Sequence, residues 1–335
     1  MTELEWNQLD FRKFINQFGK ETVIETAPIL LYSKKDKEHE AYNSLIAFFF
    51  ITGGLFIYIA LSYFLAYLFL NIVLFTIVLI IGTIADVILI TNVIKSNVYI
   101  KPLECWVEIH KRKLQNDVEY YCITYYPIFT GKCFPNEAKN VIFKLIQDQI
   151  YGSTIDISQL EIYFKLDQQV HNLLEPIGFF FQYSEGKSFR EENIDRDTWK
   201  FFPFEKVKND NFIAVGNWDH QFEWRDDLEY DFDKLHEYAP WVIHRCDETN
   251  LKPLTQDFKQ KIHWKLRFID STPKLKPWEE NFETQTYKNP NAYNDIELIN
   301  MAITKIISGD KKIENLKDIK DDLFTFKAYF RDLKL

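Results

Sequence analysis

The sequence predicts an α+β protein: an N-terminal two-helix transmembrane hairpin followed by a cytoplasmic α+β domain with a small antiparallel sheet. Three observations carry that expectation. No charged residue occurs between Glu40 and Asp86; apolar and polar residues alternate across 98–129; and apolar residues recur at helical spacing near 135–150 and again from Asp295 to the C-terminus. The expected boundaries are an N-terminal cytoplasmic arm over 1–42, the hairpin over 43–97 and the cytoplasmic domain over 98–335.

The uncharged run comes first. A membrane-spanning helix needs about 20 apolar residues, and the run is long enough for two. Helices are expected at 43–66 and 69–94, with Tyr63, Tyr67 and Asn71 near the connection. Asp86 is then placed at the interface rather than inside the apolar layer. Lys34, Lys35 and Lys37 precede the first span and Lys95 and Lys101 follow the second, while the turn between them is uncharged. The bias of positive charge puts both termini in the cytoplasm and the spans in a bacterial inner membrane.

Beyond the run, Cys105, Val107 and Ile109 alternate with Trp106, Glu108 and His110, and Tyr120, Cys122 and Thr124 with Tyr121, Ile123 and Tyr125. With Asn116-Asp117 between them, these segments predict a β-hairpin, in which Cys105 and Cys122 could face each other. Pro135-Asn136-Glu137 opens a predicted helix that Gly152 ends. A second helix is expected from Ser158 to Leu174, then a buried aromatic strand from Ile177 to Tyr183. Residues 184–211 read as a structured loop or strand edge. Residues 271–290, with Pro273, Pro277 and Pro290, read as irregular. Two amphipathic helices are expected at the end, one from Asp295 to Gly309 and one from Ile313 to Leu335.

Composition bounds the function. The chain has 335 residues with 47% hydrophobic and 17% aromatic content, enough for a substantial core, and a formal charge of −9, which argues against general nucleic-acid binding. None of the four cysteines forms a Cys-x-x-Cys pair, so buried thiols are expected rather than a disulfide framework or a zinc site. His-Glu-x-x-His, Gly-x-Ser-x-Gly and Gly-x-Gly-x-x-Gly are all missing, and Gly131-Lys132-Cys133 lacks the upstream glycine of a phosphate loop. No catalytic residue, metal or cofactor is therefore assigned.

The densest local signal is 217–250, where ten acids face three basic residues and Trp218, Phe222, Trp224, Tyr230, Phe232, Tyr238 and Trp241 are interleaved. Aromatic anchors in an acidic field suit contact with a basic protein: charge speeds encounter and rings supply contact area. The expected partner-binding residues are Trp218, Trp224, Asp226, Asp227, Asp231, Asp233 and Trp241. A solvated acidic face with inward aromatics is the competing reading. His220, His236 and His244 lie in the same segment, without metal-ligand spacing. Lys101, Lys111, Arg112 and Lys113 are expected at the membrane surface, where anionic headgroups attract basic residues.

The short arm, the hairpin, the strand Cys105-Trp106-Val107-Glu108-Ile109-His110 with Lys111-Arg112-Lys113 behind it, and Trp241-Val242-Ile243-His244-Arg245 together resemble a group of bacterial two-helix membrane proteins found beside polymorphic-toxin and type VI secretion cargo. The resemblance implies an immunity protein or a secretion accessory protein and transfers no catalytic residue. The expectation is thus a membrane-anchored protein-binding module, most concretely an immunity protein that neutralises a toxin. A membrane-tethered, hydrolase-like enzyme with an atypical site is the alternative.

Overall fold

The computed structural model describes residues 5–37, 99–114, 118–136, 154–166, 174–194, 198–204, 212–224, 241–261, 272–285 and 287, with isolated positions in 53–67, at 80 and in 139–147. Two compact units emerge. One combines Met1–Asp36 with Ile100–Leu335, and the other is Lys37–Tyr99.

The first unit is built mainly from strands, which corrects the expected α+β class. Its order is β1 (Asn7–Leu9), α1 (Phe11–Phe18), α2 (Lys20–Glu25), β2 (Ile29–Ser33), β3 (Pro102–Lys113), β4 (Glu119–Phe129), β5 (Asp156–Ile157), β6 (Leu160–Leu166), β7 (Leu174–Gln182), β8 (Trp199–Pro203), β9 (Phe212–Val215), β10 (Phe222–Trp224), β11 (Trp241–Arg245), β12 (Leu251–Pro253) and α3 (Gln256–Lys261). An eight-stranded sheet runs β1-β3-β4-β6-β7-β8, with β12 also on β3 and β5 also on β4; a four-stranded sheet runs β10-β9-β2-β11.

The hairpin expected over 98–129 is β3–β4, antiparallel from Pro102↔Phe129 to Lys113↔Glu119. Its register sets His110 opposite Cys122 and Cys105 opposite Pro127, so Cys105 and Cys122 do not face each other. Cys105 neighbours Cys246 instead, and all four cysteines are buried. The aromatic strand expected at Ile177–Tyr183 is β7. The helix expected over Ser158–Leu174 is not formed where the chain is described: Leu160–Leu166 is β6, paired to both β4 and β7. Both faces of β6 are largely buried, yet its residues alternate, with Leu160, Ile162, Phe164 and Leu166 on one face and Glu161, Tyr163 and Lys165 on the other; that period of two is the strand signal that the helical expectation passes over.

Alternation gives the large sheet two different faces. Val107, Ile109, Tyr121, Ile123, Tyr125, Leu160, Ile162, Phe164, Phe179 and Phe181 share one face, and all are buried. Each such side chain contributes about 2 kcal/mol on removal from water. Helix α1 covers part of this face, started by Asp10, whose carboxylate accepts from Lys13 N at 3.1 Å. Its Phe14 and Phe18 rings meet Tyr121 at 5.9 and 5.2 Å. Farther along the same face, Phe222 and Trp224 of the small sheet pack on Phe181.

The opposite face carries Glu108, His110, Arg112, Cys122, Thr124, Tyr126, Glu161 and Tyr163. The segment Thr272–Gln285 and α3 cover it. Leu275, Trp278 and Phe282 pack with Trp6, Tyr163 and Phe180, and Phe258 of α3 stacks on Trp106 at 4.1 Å. Both glutamates here are paired. Glu108 accepts from Gln8 at 2.8 Å and Lys259 at 2.9 Å. Glu161 accepts from the Tyr163 hydroxyl, from Gln159 at 2.8 Å and from Lys274 N at 3.0 Å. Burial raises the Glu161 pKa, opposed by Lys274 and by these hydrogen bonds.

Among the described residues no helix is long and apolar enough to cross a membrane. The described α-helices α1, α2 and α3 have eight, six and six residues, against the roughly 20 a span requires. The expected two-span hairpin, the inner-membrane location and the cytoplasmic orientation derived from them are corrected accordingly. Most of 38–98 lies outside the described residues, as do Asp86 and both expected C-terminal helices. Within the second unit, Gly53, Gly54, Ile57, Ile59, Ala60, Leu61, Tyr63, Phe64 and Tyr67 are helical, and an antiparallel bridge joins Lys37 to Tyr99.

Candidate functional site

Two features of the first unit draw on the chain's chemistry: a buried polar turn at 217–221 and the strand β11 at the end of the small sheet.

The turn joins β9 to β10, and every residue from Phe212 to Glu223 is buried. A buried turn needs internal partners for its polar groups, and Asn217 supplies several. Its side chain accepts from Asp219 N at 3.1 Å and Gln221 N at 3.3 Å, and donates to Gln221 Oε1 at 2.6 Å. His220 completes the turn in the left-handed region, at φ 52°.

That conformation places the His220 imidazole between two acids. Nδ1 lies 2.6 Å from Asp156 Oδ2 and Nε2 lies 2.9 Å from Asp36 Oδ2. The ring stacks on Phe129 at 4.0 Å, and Ser158 Oγ donates to the His220 carbonyl at 2.9 Å. In the neutral ring one nitrogen carries the proton and donates to its carboxylate, and the tautomer sets which of the two contacts that is. Burial lowers the His220 pKa, Asp36 opposes that shift, and Lys132 and Lys144 add to it. Beside the trio, Lys132 pairs with Asp219 while its ammonium lies 5.3 Å from the centre of the Trp218 ring.

Asp36 also marks a junction in the chain. Its carbonyl accepts from Ile100 N at 2.7 Å, so the residue that holds His220 joins the two segments of the first unit. The carboxylates approach opposite nitrogens of one ring and do not converge on a common point. Among the described residues no group of three or more His, Cys, Asp or Glu is arranged to hold a metal ion. The geometry is that of a buried latch.

Strand β11 is different in kind. It pairs antiparallel with β2, from Trp241↔Ser33 to Arg245↔Ile29, and is the terminal strand of its sheet among the described residues. Trp241 packs against Ile29, Leu31, Phe212 and Ala214. Ile243, on the same side of the strand, is 50% exposed. Burial lowers the His244 pKa, opposed by Asp247.

The expected partner-binding residues separate into three groups. Trp218 is 2% exposed; it packs edge-on against Phe134 and Phe143 and its indole donates to Glu191 O at 2.8 Å, so it is a core residue. Trp224 and Trp241 are half-buried, with Trp224 stacked on Phe202 at 5.6 Å. Asp226, Asp227, Asp231 and Asp233 lie outside the described residues, as does His236. Of the expected membrane-surface residues, Lys101 and Lys113 are exposed and Lys111 pairs with Glu119 at 2.7 Å, whereas Arg112 is buried. Burial works to raise the Glu119 pKa, but hydrogen bonds from Lys111 and Tyr121 outweigh it and hold the pKa below its usual value.

Sequence reasoning missed the latch. Asp36 and Asp156 belong to no sequence motif, and only the folded sheets bring them to His220. The available signal was Asn217-Trp218-Asp219-His220-Gln221 between two short apolar runs, a turn composition with bulky residues where an exposed hairpin would carry glycine. No protein-family model, curated protein or solved structure matches the chain.

Proposed function

We propose that the protein is a protein-binding module that takes an extended, basic segment of a partner along β11. The observation that carries the reading is Ile243, half exposed on a terminal strand. An added strand gains main-chain hydrogen bonds from such an edge, while side chains on alternate positions give selectivity. Charge favours a basic partner: six acids lie between Asp226 and Glu237 ahead of the strand, and Asp247 and Glu248 follow it directly. The most concrete form of this activity is a bacterial immunity protein that covers the basic active site of a toxin and blocks its substrate.

Affinity capture from the source cells tests the reading, with the full chain compared against Ile243→Lys and against the double variant Asp226→Lys, Asp227→Lys. One basic protein retained by the native chain, weakened by both variants and restored by Ile243→Val supports it. Identical retention by all the chains contradicts it. Ile243 is exposed, so its replacement leaves the fold intact, which an unchanged melting temperature verifies.

A further inference from the structure

The polar face of the large sheet holds one cation in an unusual state. Arg112 is only 6% exposed, near the end of β3 and opposite Tyr120 of β4. Its Nη1 donates to the Glu5 carbonyl at 3.0 Å, but Nε and Nη2 are buried with no hydrogen-bond partner. Among the described residues no carboxylate pairs with it. A desolvated guanidinium is costly unless an anion or further acceptors compensate it.

The unsatisfied atoms are not a random pair. Nε–H and the adjacent Nη2–H point the same way in the guanidinium plane and form the side-on fork that matches two oxygens of one anion. A cluster of aromatic rings lies beside the group. The guanidinium carbon lies 5.8 Å from the centre of the Trp278 ring. Trp278 in turn meets Trp6 at 5.0 Å and Tyr120 at 5.7 Å. Trp6 is fixed by its indole N–H, which donates to Leu275 O at 3.0 Å. Neighbouring acids are committed elsewhere: Glu108 binds Gln8 and Lys259, and Glu119 binds Lys111.

We propose that the Nε–Nη2 edge of Arg112, between Trp6, Tyr120 and Trp278, is a binding site for an oxyanion, either a carboxylate or a phosphate. The anion accepts both fork hydrogen bonds and neutralises the buried charge, and the rings accommodate a flat organic body attached to it. Trp278 is half-buried and sits between the exposed residues Lys276 and Glu279. The ligand reaches the fork when that ring swings aside. This site is separate from β11 and does not depend on the partner-binding reading.

The test uses full-length protein labelled with 5-fluorotryptophan, the Trp278 resonance being assigned by its loss in Trp278→Phe. Sodium benzoate and inorganic phosphate are titrated separately. The expected result is a saturable shift of the Trp278 signal with at least one of them. Arg112→Lys, which keeps the charge but not the fork, should weaken binding by about tenfold or more. Should that variant misfold, Arg112→Met replaces it, removing both the charge and the fork, and should also abolish the shift. Response to benzoate alone assigns a planar carboxylate, and response to phosphate alone a tetrahedral anion. A Trp278 signal that moves with neither anion overturns the proposal, as does equal binding by a folded Arg112 variant.

Discussion

His220 and Asp36 stand 184 positions apart in the chain, yet the imidazole Nε2 lies 2.9 Å from the carboxylate Oδ2. The contact is buried and joins the turn between β9 and β10 to the point where the first segment of the unit ends. Removing one partner leaves a buried polar atom unsatisfied, at a cost of about 2 kcal/mol. Asp36→Ala and Asp156→Ala should each lower unfolding free energy by about that amount in urea titrations. Asp36→Asn, whose amide can donate to Nε2, should lose less than half as much. Equal losses for Asn and Ala would show that the hydrogen bond is not what matters.

The same latch gives stability a defined pH dependence. The folded-state pKa of His220 lies below its ordinary value of 6.5, with burial the principal cause. The unfolded chain therefore takes up the proton first, and stability is lost as pH falls from about 6.5 toward the folded-state value. Urea midpoints measured from pH 7.5 to 5.5 should fall for the native chain and change less for His220→Asn, which tolerates the left-handed backbone. Parallel pH profiles for the two proteins would contradict this assignment.

Lys132 and Asp219 form a second test of buried charge. Breaking such a pair from one side strands the other ion, so Lys132→Met should cost about 3 kcal/mol. The double variant Lys132→Met, Asp219→Leu should recover much of that loss, since no isolated charge remains. A double-mutant cycle by chemical denaturation reads the difference directly; strictly additive losses would mean that the two side chains do not act as a pair.

Gly178 lets β7 and β8 approach closely. A Cβ there would stand 2.4 Å from Cζ of Phe201 and 2.5 Å from the carbonyl oxygen of Phe202. Gly178→Ala should therefore destabilise the fold by about 2 kcal/mol. Shortening the ring with Phe201→Leu should relieve only part of the strain, because the backbone contact stays. A neutral Gly178→Ala in thermal unfolding would show that the strands can separate without cost.

How much of this was legible in the sequence follows from burial. The β3–β4 hairpin could be read because apolar and polar residues alternate, and β7 because Phe179, Phe180 and Phe181 form a short aromatic run. Strand β6 carries the same alternation, Leu160, Ile162, Phe164 and Leu166 between Glu161, Tyr163 and Lys165, and the helical expectation overlooks it; its polar face is then buried beneath the segment that carries Lys274 and Leu275. The acidic-aromatic segment was visible as a composition, but composition does not reveal which rings turn inward: Trp218 enters the core, while Trp241 stays half-buried beside an exposed Ile243. The latch and the Arg112 fork were not legible, since both depend on residues more than a hundred positions apart in the chain meeting through sheet register and covering segments.

Site-specific photo-crosslinking tests the partner-binding edge most directly. A benzophenone amino acid is placed at Ile243 and, as a control, at Leu103, an apolar residue of similar exposure at 45%. A discrete adduct with one basic protein from position 243, and none from position 103, is the predicted outcome. No adduct at 243, or the same adducts from both positions, would contradict the assignment of β11 as the binding edge.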